Sequence, residues 1–287
     1  MASTQTSTTG NLQKMSRIML TKARYQEEHN MPVVALIDRF NLAKGHYQLD
    51  IPKVAQMTAG DLVDGQDLID SEEINPSIVS ATAAEVGIKV IITDRLLRQN
   101  NENVFSIIGR QMGDAMARKK DTDAIALFAG FDDTYGGDTA VTFAKASGLI
   151  ANAKENQYGN PLFVVHHPNV IWTVAADVGN IIATYPLPDV FNKPAVKDYY
   201  SGVKIGGVPF FEDGNIEVVS GQTYGYGVIA HKSAMGYLVA SAKSERRQRD
   251  ESLRATEVII VEEYGMFEAD GDRAGTVQYT QSSIATT

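Results

Sequence analysis

The amino-acid sequence predicts an α+β fold, and three patterns along the chain support this class. Residues 46–51 and 77–93 alternate apolar and polar side chains, which is the period of a half-buried strand. Residues 103–129 keep the apolar spacing of an unusually long helix. The last third of the chain returns to strand-like runs separated by turns. Strands and helices therefore both contribute substantially to the predicted structure.

The composition is that of a globular protein and excludes several classes of function. The 287 residues are 44% hydrophobic and 21% charged, and at roughly 100–200 residues per domain they predict one large or two modest domains. Lys and Arg number 26 against 35 Asp and Glu, so the net charge is −9, the opposite of what a phosphate-gripping protein needs. The chain has no cysteine, which excludes disulfides, thiolate metal sites and cysteine nucleophiles.

The N-terminal segment is polar at first and then has a helical pattern. Residues 1–10 are rich in Ser, Thr and Gln, without the basic-then-apolar order of a secretory signal. Residues 11–28 predict a short amphipathic helix, which could pack on its own core or on a neighbouring subunit. The sequence lacks a run of about 18 apolar residues, so we expect no membrane association and synthesis in the cytoplasm.

The first long hairpin carries an acidic loop between its strands. The strand over 46–51 is closed by Pro52, and the second strand begins at Ser77. The segment between them has no Lys or Arg after Lys53, and its spacing does not match a calcium-binding loop. Its acidic residues are Asp61, Asp64, Asp67, Asp70, Glu72 and Glu73. They form either a solvated loop or an acidic surface that docks on a basic partner.

The strongest helix signal follows this hairpin. Thr93 and Asp94 offer a cap, and the helical pattern over 103–129 ends at Gly130, where a left-handed C-cap residue belongs. At 1.5 Å per residue this helix is about 40 Å long, so it spans a whole domain.

The remaining elements are shorter. Helices are predicted over 142–155 and 169–176, and Pro168 suits the first position of the second. Gly206 and Gly207 predict a two-residue hairpin turn. Strands are predicted over 162–165, 203–205, 208–211, 226–230, 236–241, 256–267 and 276–280.

Motifs for catalysis or cofactor binding are missing from the sequence. It contains no Walker loop, dinucleotide fingerprint, nucleophile elbow or His-Glu-x-x-His motif. His166 and His167 are adjacent, so in a strand they would point to opposite faces and could not easily share a metal ion. We therefore predict no enzymatic activity, no metal and no cofactor.

A basic cluster near the C-terminal third is interleaved with acidic residues. It consists of Lys243, Arg246, Arg247, Arg249 and Arg254, with Glu245, Asp250 and Glu251 among them. The counter-charges and the lack of aromatic residues make a nucleic-acid patch a weak interpretation. An ion-pairing surface between protein subunits is the better one.

The order of the elements resembles a known family. Five stretches carry the resemblance: 90–97 (VIITDRLL), 125–130 (IALFAG), 163–168 (FVVHHP) with Trp172, 206–209 (GGVP) and 257–265 (EVIIVEEYG). In order and spacing they resemble the major capsid proteins of tailed bacteriophages, which have the Hong Kong 97-type fold.

The resemblance implies a division of the chain. Residues 1–42 would be an N-terminal arm, and 43–93 an extended β-hairpin loop with its strands. Residues 94–156 together with 240–287 would form a peripheral domain around a long spine helix. Residues 157–239 would form an α/β axial domain.

The resemblance also implies a structural function. The chain would self-assemble into hexamers and pentamers of an icosahedral virion capsid that encloses double-stranded DNA, with assembly in the host cytoplasm. Too few residues precede the hairpin for a built-in scaffold, so a separate scaffolding protein and a portal are expected, and a cement protein is possible. The alternatives are an encapsulin-type nanocompartment shell and, in another class, a small α+β enzyme with an unrecognised site.

The acidic loop gives this function an interface hypothesis. We expect the loop over 61–73 to lie on an adjacent subunit, where basic side chains would face it. The candidate counterparts are Arg110, Arg118, Lys119 and Lys120 of the spine helix, or Arg246, Arg247 and Arg249 of the basic cluster.

Overall fold

The computed structural model describes residues 31–53, 57, 61, 76–99, 104–184 and 203–281. The predicted helix over 11–28 lies outside these ranges. The helices within them are α1 (Pro32–Leu36), α2 (Asp94–Gln99), α3 (Val104–Ala126), α4 (Phe143–Glu155) and α5 (Pro168–Thr184). The first strands are β1 (Asp38–Asn41), β2 (Gln48–Lys53), β3 (Ser77–Thr82), β4 (Ala84–Thr93), β5 (Asp133–Gly136) and β6 (Leu162–His166). The later strands are β7 (Val203–Ile205), β8 (Val208–Glu212), β9 (Tyr224–His231), β10 (Met235–Asp250), β11 (Ala255–Glu268) and β12 (Ala274–Thr280).

The predicted strand over 77–93 forms two strands with different partners. β3 pairs antiparallel with β2 to make a separate two-stranded hairpin, whereas β4 pairs antiparallel with β11. Ala83 separates them. The buried face changes at this residue: β3 turns the odd-numbered Val79 and Ala81 inward, whereas β4 turns the even-numbered Val86 and Ile88 inward. A single strand over 77–93 with one buried face was therefore a wrong prediction.

The long helix is confirmed as one continuous element. We call α3 the spine helix; it runs over 23 residues and passes into a short 3-10 turn, Leu127–Gly130, at the end of the predicted span. It lies on a four-stranded sheet of order β1-β10-β11-β4. Buried Met112 and Met116 of the helix pack on Ile92, Val258 and Ile260 of this sheet. This apolar seam fixes the helix along the sheet.

A second, six-stranded sheet has the order β5-β12-β9-β6-β8-β7. Its strand β6 is buried throughout, which explains why it reads as a continuous apolar run. Helices α4 and α5 cover one face of this sheet. Ala124 at the C-terminal end of the spine helix and Phe128 of the following 3-10 turn pack on the other face, together with Val33 of α1.

The predicted glycine turn is present between β7 and β8. Ile205 pairs with Val208 across it, and Gly206 and Gly207 have φ angles of 57° and 84°. Both values lie in the left-handed region that a tight hairpin turn of this kind requires, so glycine is needed at both positions.

The sheets group several elements differently from the predicted division of the chain. β5, α4 and β12 belong to the predicted peripheral segments but lie in or on the six-stranded sheet that contains the predicted axial strands. β1, predicted as part of the arm, pairs in parallel with β10 in the four-stranded sheet. These placements follow from hydrogen bonding between segments far apart in sequence, which a linear division of the chain does not register.

β10 and β11 form a hairpin much longer than the predicted strands. β10 has 16 residues, and its outer part, residues 241–249, is exposed throughout. β11 lies between β10 and β4 and is largely buried. Beyond Val239, where its pairing with β1 stops, β10 is therefore an edge strand.

Candidate assembly surface

The predicted acidic loop lies mostly outside the described residues. Asp61 is described and is exposed. The other five, Asp64, Asp67, Asp70, Glu72 and Glu73, fall outside the described ranges. The proposed contact of this loop with a neighbouring subunit therefore stays a prediction, and the described strands on either side indicate where the loop starts.

The hairpin β2–β3 packs one of its faces on its own chain. Leu49 and Ile51 of β2, with Val79 and Ala81 of β3, contact the cluster around Leu238 and Phe267 of the four-stranded sheet. These contacts bury the apolar half of the alternating pattern. The start of the hairpin is thus fixed to the body of the subunit.

An ion pair holds the same hairpin at its outer described end. The Lys53 Nζ lies 2.6 Å from Asp270 Oδ1 and 2.7 Å from Asp272 Oδ2, on the turn between β11 and β12. The hydrogen bonds to Asp270 and Asp272 raise the pKa of Lys53. Lys53 is the last residue of β2, so this ion pair ties the end of that strand to the turn between β11 and β12.

The opposite face of the hairpin is exposed. The Ser80 hydroxyl donates to Asp50 Oδ1 at 2.7 Å, and Gln48 Nε2 donates to Ser80 Oγ at 2.8 Å. Hydrogen bonds from Gln48 and Ser80 lower the pKa of Asp50, so this face carries a negative charge. Ile78 is 65% exposed and Tyr47, just before β2, is 80% exposed. Large apolar groups beside ordered polar ones are what a protein-binding surface offers.

The basic residues predicted on the spine helix have different environments. Arg110, Arg118 and Lys119 are exposed, and Lys119 forms an ion pair with Asp123 one turn further along the helix. Lys120 instead points toward the four-stranded sheet: its side chain is 12% exposed and its Nζ lies 2.6 Å from Glu262 Oε1. Lys120 therefore has a partner within its own chain.

The environment of Lys120 is a buried polar network. Tyr237 donates its hydroxyl to the same Glu262 Oε1 at 3.1 Å, and the Lys120 ammonium lies 5.9 Å from the ring centre of Tyr237. Tyr264 places its ring 5.8 Å from the same ammonium and donates to Asp123 Oδ2 at 2.8 Å. Burial raises the pKa of Tyr237 to about 12, with the Glu262 charge adding to the effect. The network joins the spine helix to β10 and β11.

Most of the basic cluster lies on the exposed part of β10, whereas Arg254 lies in the turn before β11. Two of its arginines have partners within the chain. Arg249 binds Asp94 in a bidentate pair, with distances of 2.6 Å and 2.7 Å, and its Nε reaches Glu251 at 3.1 Å. The bond from Arg249 lowers the pKa of Asp94. Arg247 pairs with Glu245 at 2.8 Å, and Arg246 is exposed. Asp94 was not predicted as a partner, because it lies 155 residues away in sequence.

The two sets of predicted basic residues lie on elements that approach each other: Lys243 Nζ of β10 lies 3.3 Å from the position that a Cβ on Gly113 of the spine helix would occupy. The exposed arginines of the spine helix and the arginines of β10 belong to different elements, and each set is partly neutralised by acids of its own chain.

The described residues contain no group of three or more His, Asp or Glu side chains that could hold a metal ion. His166 is 1% exposed at the end of β6, and its Nδ1 accepts a hydrogen bond from the His167 amide at 2.8 Å. Burial lowers the pKa of His166 to about 3, so its ring is neutral. In the part of the chain that the structure describes, the helices are too short or too polar to cross a membrane.

Comparison with known proteins identifies the class of this chain. Residues 77–278, well over half of the sequence, match the family model for phage capsid protein. The chain therefore belongs to the phage capsid protein family, and its fold is that of the Hong Kong 97-type major capsid proteins. The resemblance seen in the sequence is confirmed. No curated protein matches the chain in sequence.

Solved structures share this fold at low sequence identity. A structure of Mycobacterium phage Che8 has a TM-score of 0.68 and 15% identity, covering 87% of this chain and 91% of that one. The capsid of cyanophage P-SCSP1u has a TM-score of 0.63 and 16% identity, covering 86% and 87%. The SrpI encapsulin of Synechococcus elongatus PCC 7942 has a TM-score of 0.66 and 11% identity, covering 95% and 98%.

Proposed function

We propose that this chain is the shell subunit of an icosahedral phage capsid, assembled from hexamers and pentamers around double-stranded DNA. Membership of the phage capsid protein family is the observation that carries the proposal. Two exposed apolar side chains support it, Ile78 on the outer face of the β2–β3 hairpin and Tyr47 just before β2, because obligate subunits bury such surfaces between copies. The protein would reside in the virion and act without catalysis.

The partners in this proposal are other copies of the chain, a separate scaffolding protein and a portal, with a cement protein as an optional addition. DNA would be enclosed without sequence-specific binding. The net charge of −9 suits this, since a surface that gripped phosphates tightly would oppose the movement of packaged DNA.

We infer that the two sheets define the domains of the subunit. A peripheral domain would comprise the four-stranded sheet and the spine helix, and an axial domain would comprise the six-stranded sheet with α4 and α5. This division assigns β5, α4 and β12 to the axial domain. Limited proteolysis checks it: the first cuts should fall in connections between the two sheets rather than within either one.

The direct test is assembly of the purified protein. We expect the full chain, co-expressed with its scaffolding protein, to sediment as particles that appear as closed icosahedral shells in electron micrographs. A protein that remains a monomer under these conditions would overturn the proposal.

An encapsulin-type nanocompartment is the second candidate, favoured by the 95% coverage of this chain by the SrpI encapsulin structure. The content of purified shells separates the two. Phage capsids filled in infected cells hold double-stranded DNA, whereas a nanocompartment would hold a cargo protein and no genome.

The acidic loop provides a more specific test of the interface. Changing Asp61, Asp64, Asp67 and Asp70 to lysine should prevent shell formation while leaving the unfolding midpoint of the subunit nearly unchanged, because the changes reverse charges proposed to face a neighbour. Normal shells from this variant would contradict the loop assignment. A matched control reverses four exposed carboxylates elsewhere on the chain: Asp132, Glu155, Glu212 and Glu217.

A further inference from the structure

Two buried carboxyl groups meet where the spine helix, α1 and the turn after β8 come together. Asp121 of the spine helix is fully buried, and Asp213 of the turn is 1% exposed. The Asp213 carboxyl lies within hydrogen-bonding reach of the Asp121 carboxyl. Two acids this close and this buried cannot both be ionised without a large electrostatic cost.

The donors around this pair satisfy three of its four oxygens. Asp121 Oδ1 accepts from the Val33 amide at 3.2 Å, and Asp121 Oδ2 accepts from Asn215 Nδ2 at 2.9 Å. Asp213 Oδ1 accepts from the Asn215 amide at 2.8 Å. Asp213 Oδ2 is buried and has no donor among the described residues. A proton on Asp121 would donate to this oxygen and complete the set.

The hydrogen-bond donors to the pair named above are all neutral groups. α1 has no ionisable side chain. The neighbouring lysines of the spine helix, Lys119 and Lys120, are paired with Asp123 and Glu262. His166 of β6, whose carbonyl accepts from the Asp213 amide at 3.1 Å, is neutral. Glu212 and Glu217, on either side of the turn, are exposed. Burial and the neighbouring Asp213 raise the pKa of Asp121 to about 7.

We propose that the Asp121–Asp213 pair is a proton-binding site that docks α1 on the spine helix. With one proton bound, the two carboxyl groups hydrogen-bond to each other and Asp121 holds the Val33 amide. When the proton leaves, two buried carboxylates face each other, and separating α1 and the turn from the helix lets water reach them.

The direction of the pH effect follows from the protonation states. The native state keeps a proton on Asp121 that the unfolded chain loses near the ordinary pKa of 3.8. The native state therefore binds more protons between that pH and about 7, so this docking weakens as the pH rises through the interval and changes little above it. Acidification tightens the contact, the reverse of the usual effect on a salt-bridged carboxylate.

The proton-binding site also affects the N-terminal arm, and this consequence rests on the proposed function. α1 lies within the predicted arm, residues 1–42, and the pair is a contact between that segment and the spine helix. Protonation would then control how firmly the root of the arm is held, with the arm freer at higher pH.

Hydrogen exchange on the full-length protein tests the proposal, whether the chain is assembled or not. We expect the protection of a peptide over 31–37, corrected for intrinsic exchange, to fall by about tenfold between about pH 6 and about pH 8.5, with nearly all of the loss below about pH 7.5. The matched variant is Asp213→Asn, whose amide can donate to Asp121 while its carbonyl still accepts from Asn215. This variant should keep its protection at both pH values.

Unchanged protection in the wild type, or the same loss in Asp213→Asn, would overturn the proposal. Infrared spectroscopy gives a readout that does not depend on the variant folding: the wild type should show a protonated carboxyl group at about pH 6 that disappears near pH 7. Burial also raises the pKa of Glu268, so the Glu268→Gln variant is used to remove this carboxyl group as a source of the infrared signal. Absence of the protonated signal, or its loss in Glu268→Gln, refutes the site.

Discussion

Replacing Lys120 by methionine removes the cation from the buried network between the spine helix and the four-stranded sheet. Methionine keeps the length of the side chain, so its packing on the Tyr237 and Tyr264 rings is largely retained. What changes is the charge balance. Glu262, whose side chain is 5% exposed, would keep a single donor, the Tyr237 hydroxyl, and its Oε2 already has no partner among the described residues.

The expected cost is large because an unpaired charge is left in the interior. Removing one partner of a buried ion pair typically costs about 3–5 kcal/mol of unfolding free energy. With a urea m-value of about 3 kcal/mol per molar, the unfolding midpoint should fall by about 1–1.7 M. Adding Glu262→Gln removes the stranded charge and keeps a carbonyl for Tyr237, so the double variant should recover at least about half of the loss.

The assay is urea unfolding of each purified variant, followed by circular dichroism. Lys119→Met is the control: the adjacent lysine has the same charge, but its side chain is 52% exposed and pairs with Asp123 on the surface. This control should cost no more than about 1 kcal/mol. Equal losses for the two lysines, or no recovery in the double variant, would refute the account of this network.

Two glycine substitutions should change stability in opposite directions in the same unfolding assay. Gly109→Ala in the spine helix should raise the unfolding free energy by about 0.5–1 kcal/mol, because its Cβ would meet no atom within 4 Å. Gly227→Ala in β9 should lower it by about 1–3 kcal/mol or more, since its Cβ would lie 2.4 Å from His166 Cδ2 and 2.6 Å from the Val165 carbonyl oxygen. A stabilising Gly227→Ala, or a Gly109→Ala that destabilises the helix, would contradict these contacts.

Elements with strong periodicity were predictable from the sequence. The spine helix begins at Val104 and continues to Ala126, close to the predicted span, because its buried methionines repeat at helical spacing. The Gly206–Gly207 turn was also predictable, since few other residues adopt its backbone angles. Structure that is determined by residues close together in the chain can be predicted from the sequence alone.

Elements that depend on distant partners were predicted less well. β10 continues to Asp250, although the sequence predicted that it would end at 241. The prediction stopped too early because the outer residues of the strand are exposed and charged and show no apolar alternation. β1 was missed, since four residues held by parallel pairing to β10 leave almost no local pattern.

The buried polar networks could not be predicted from the sequence for the same reason. Lys120 and Glu262 are 142 residues apart, and Asp121 and Asn215 are 94 apart. A single sequence gives the charges but not which of them become buried together. Lys120 therefore looked equivalent to Lys119 and Arg118 as a surface residue, and Asp121 gave no signal at all.

The position of β12 in its sheet determines when during synthesis that sheet can be completed. This strand is translated after every other strand of its sheet, yet it lies between β5 and β9 and pairs with both. Until residues 274–280 have emerged from the ribosome, β5 and one edge of β9 lack the strand that they pair with, so the sheet stays incomplete through nearly all of translation. Stalled chains that end before residue 274 should consequently be cut by protease around β5, and chains released beyond 281 should resist.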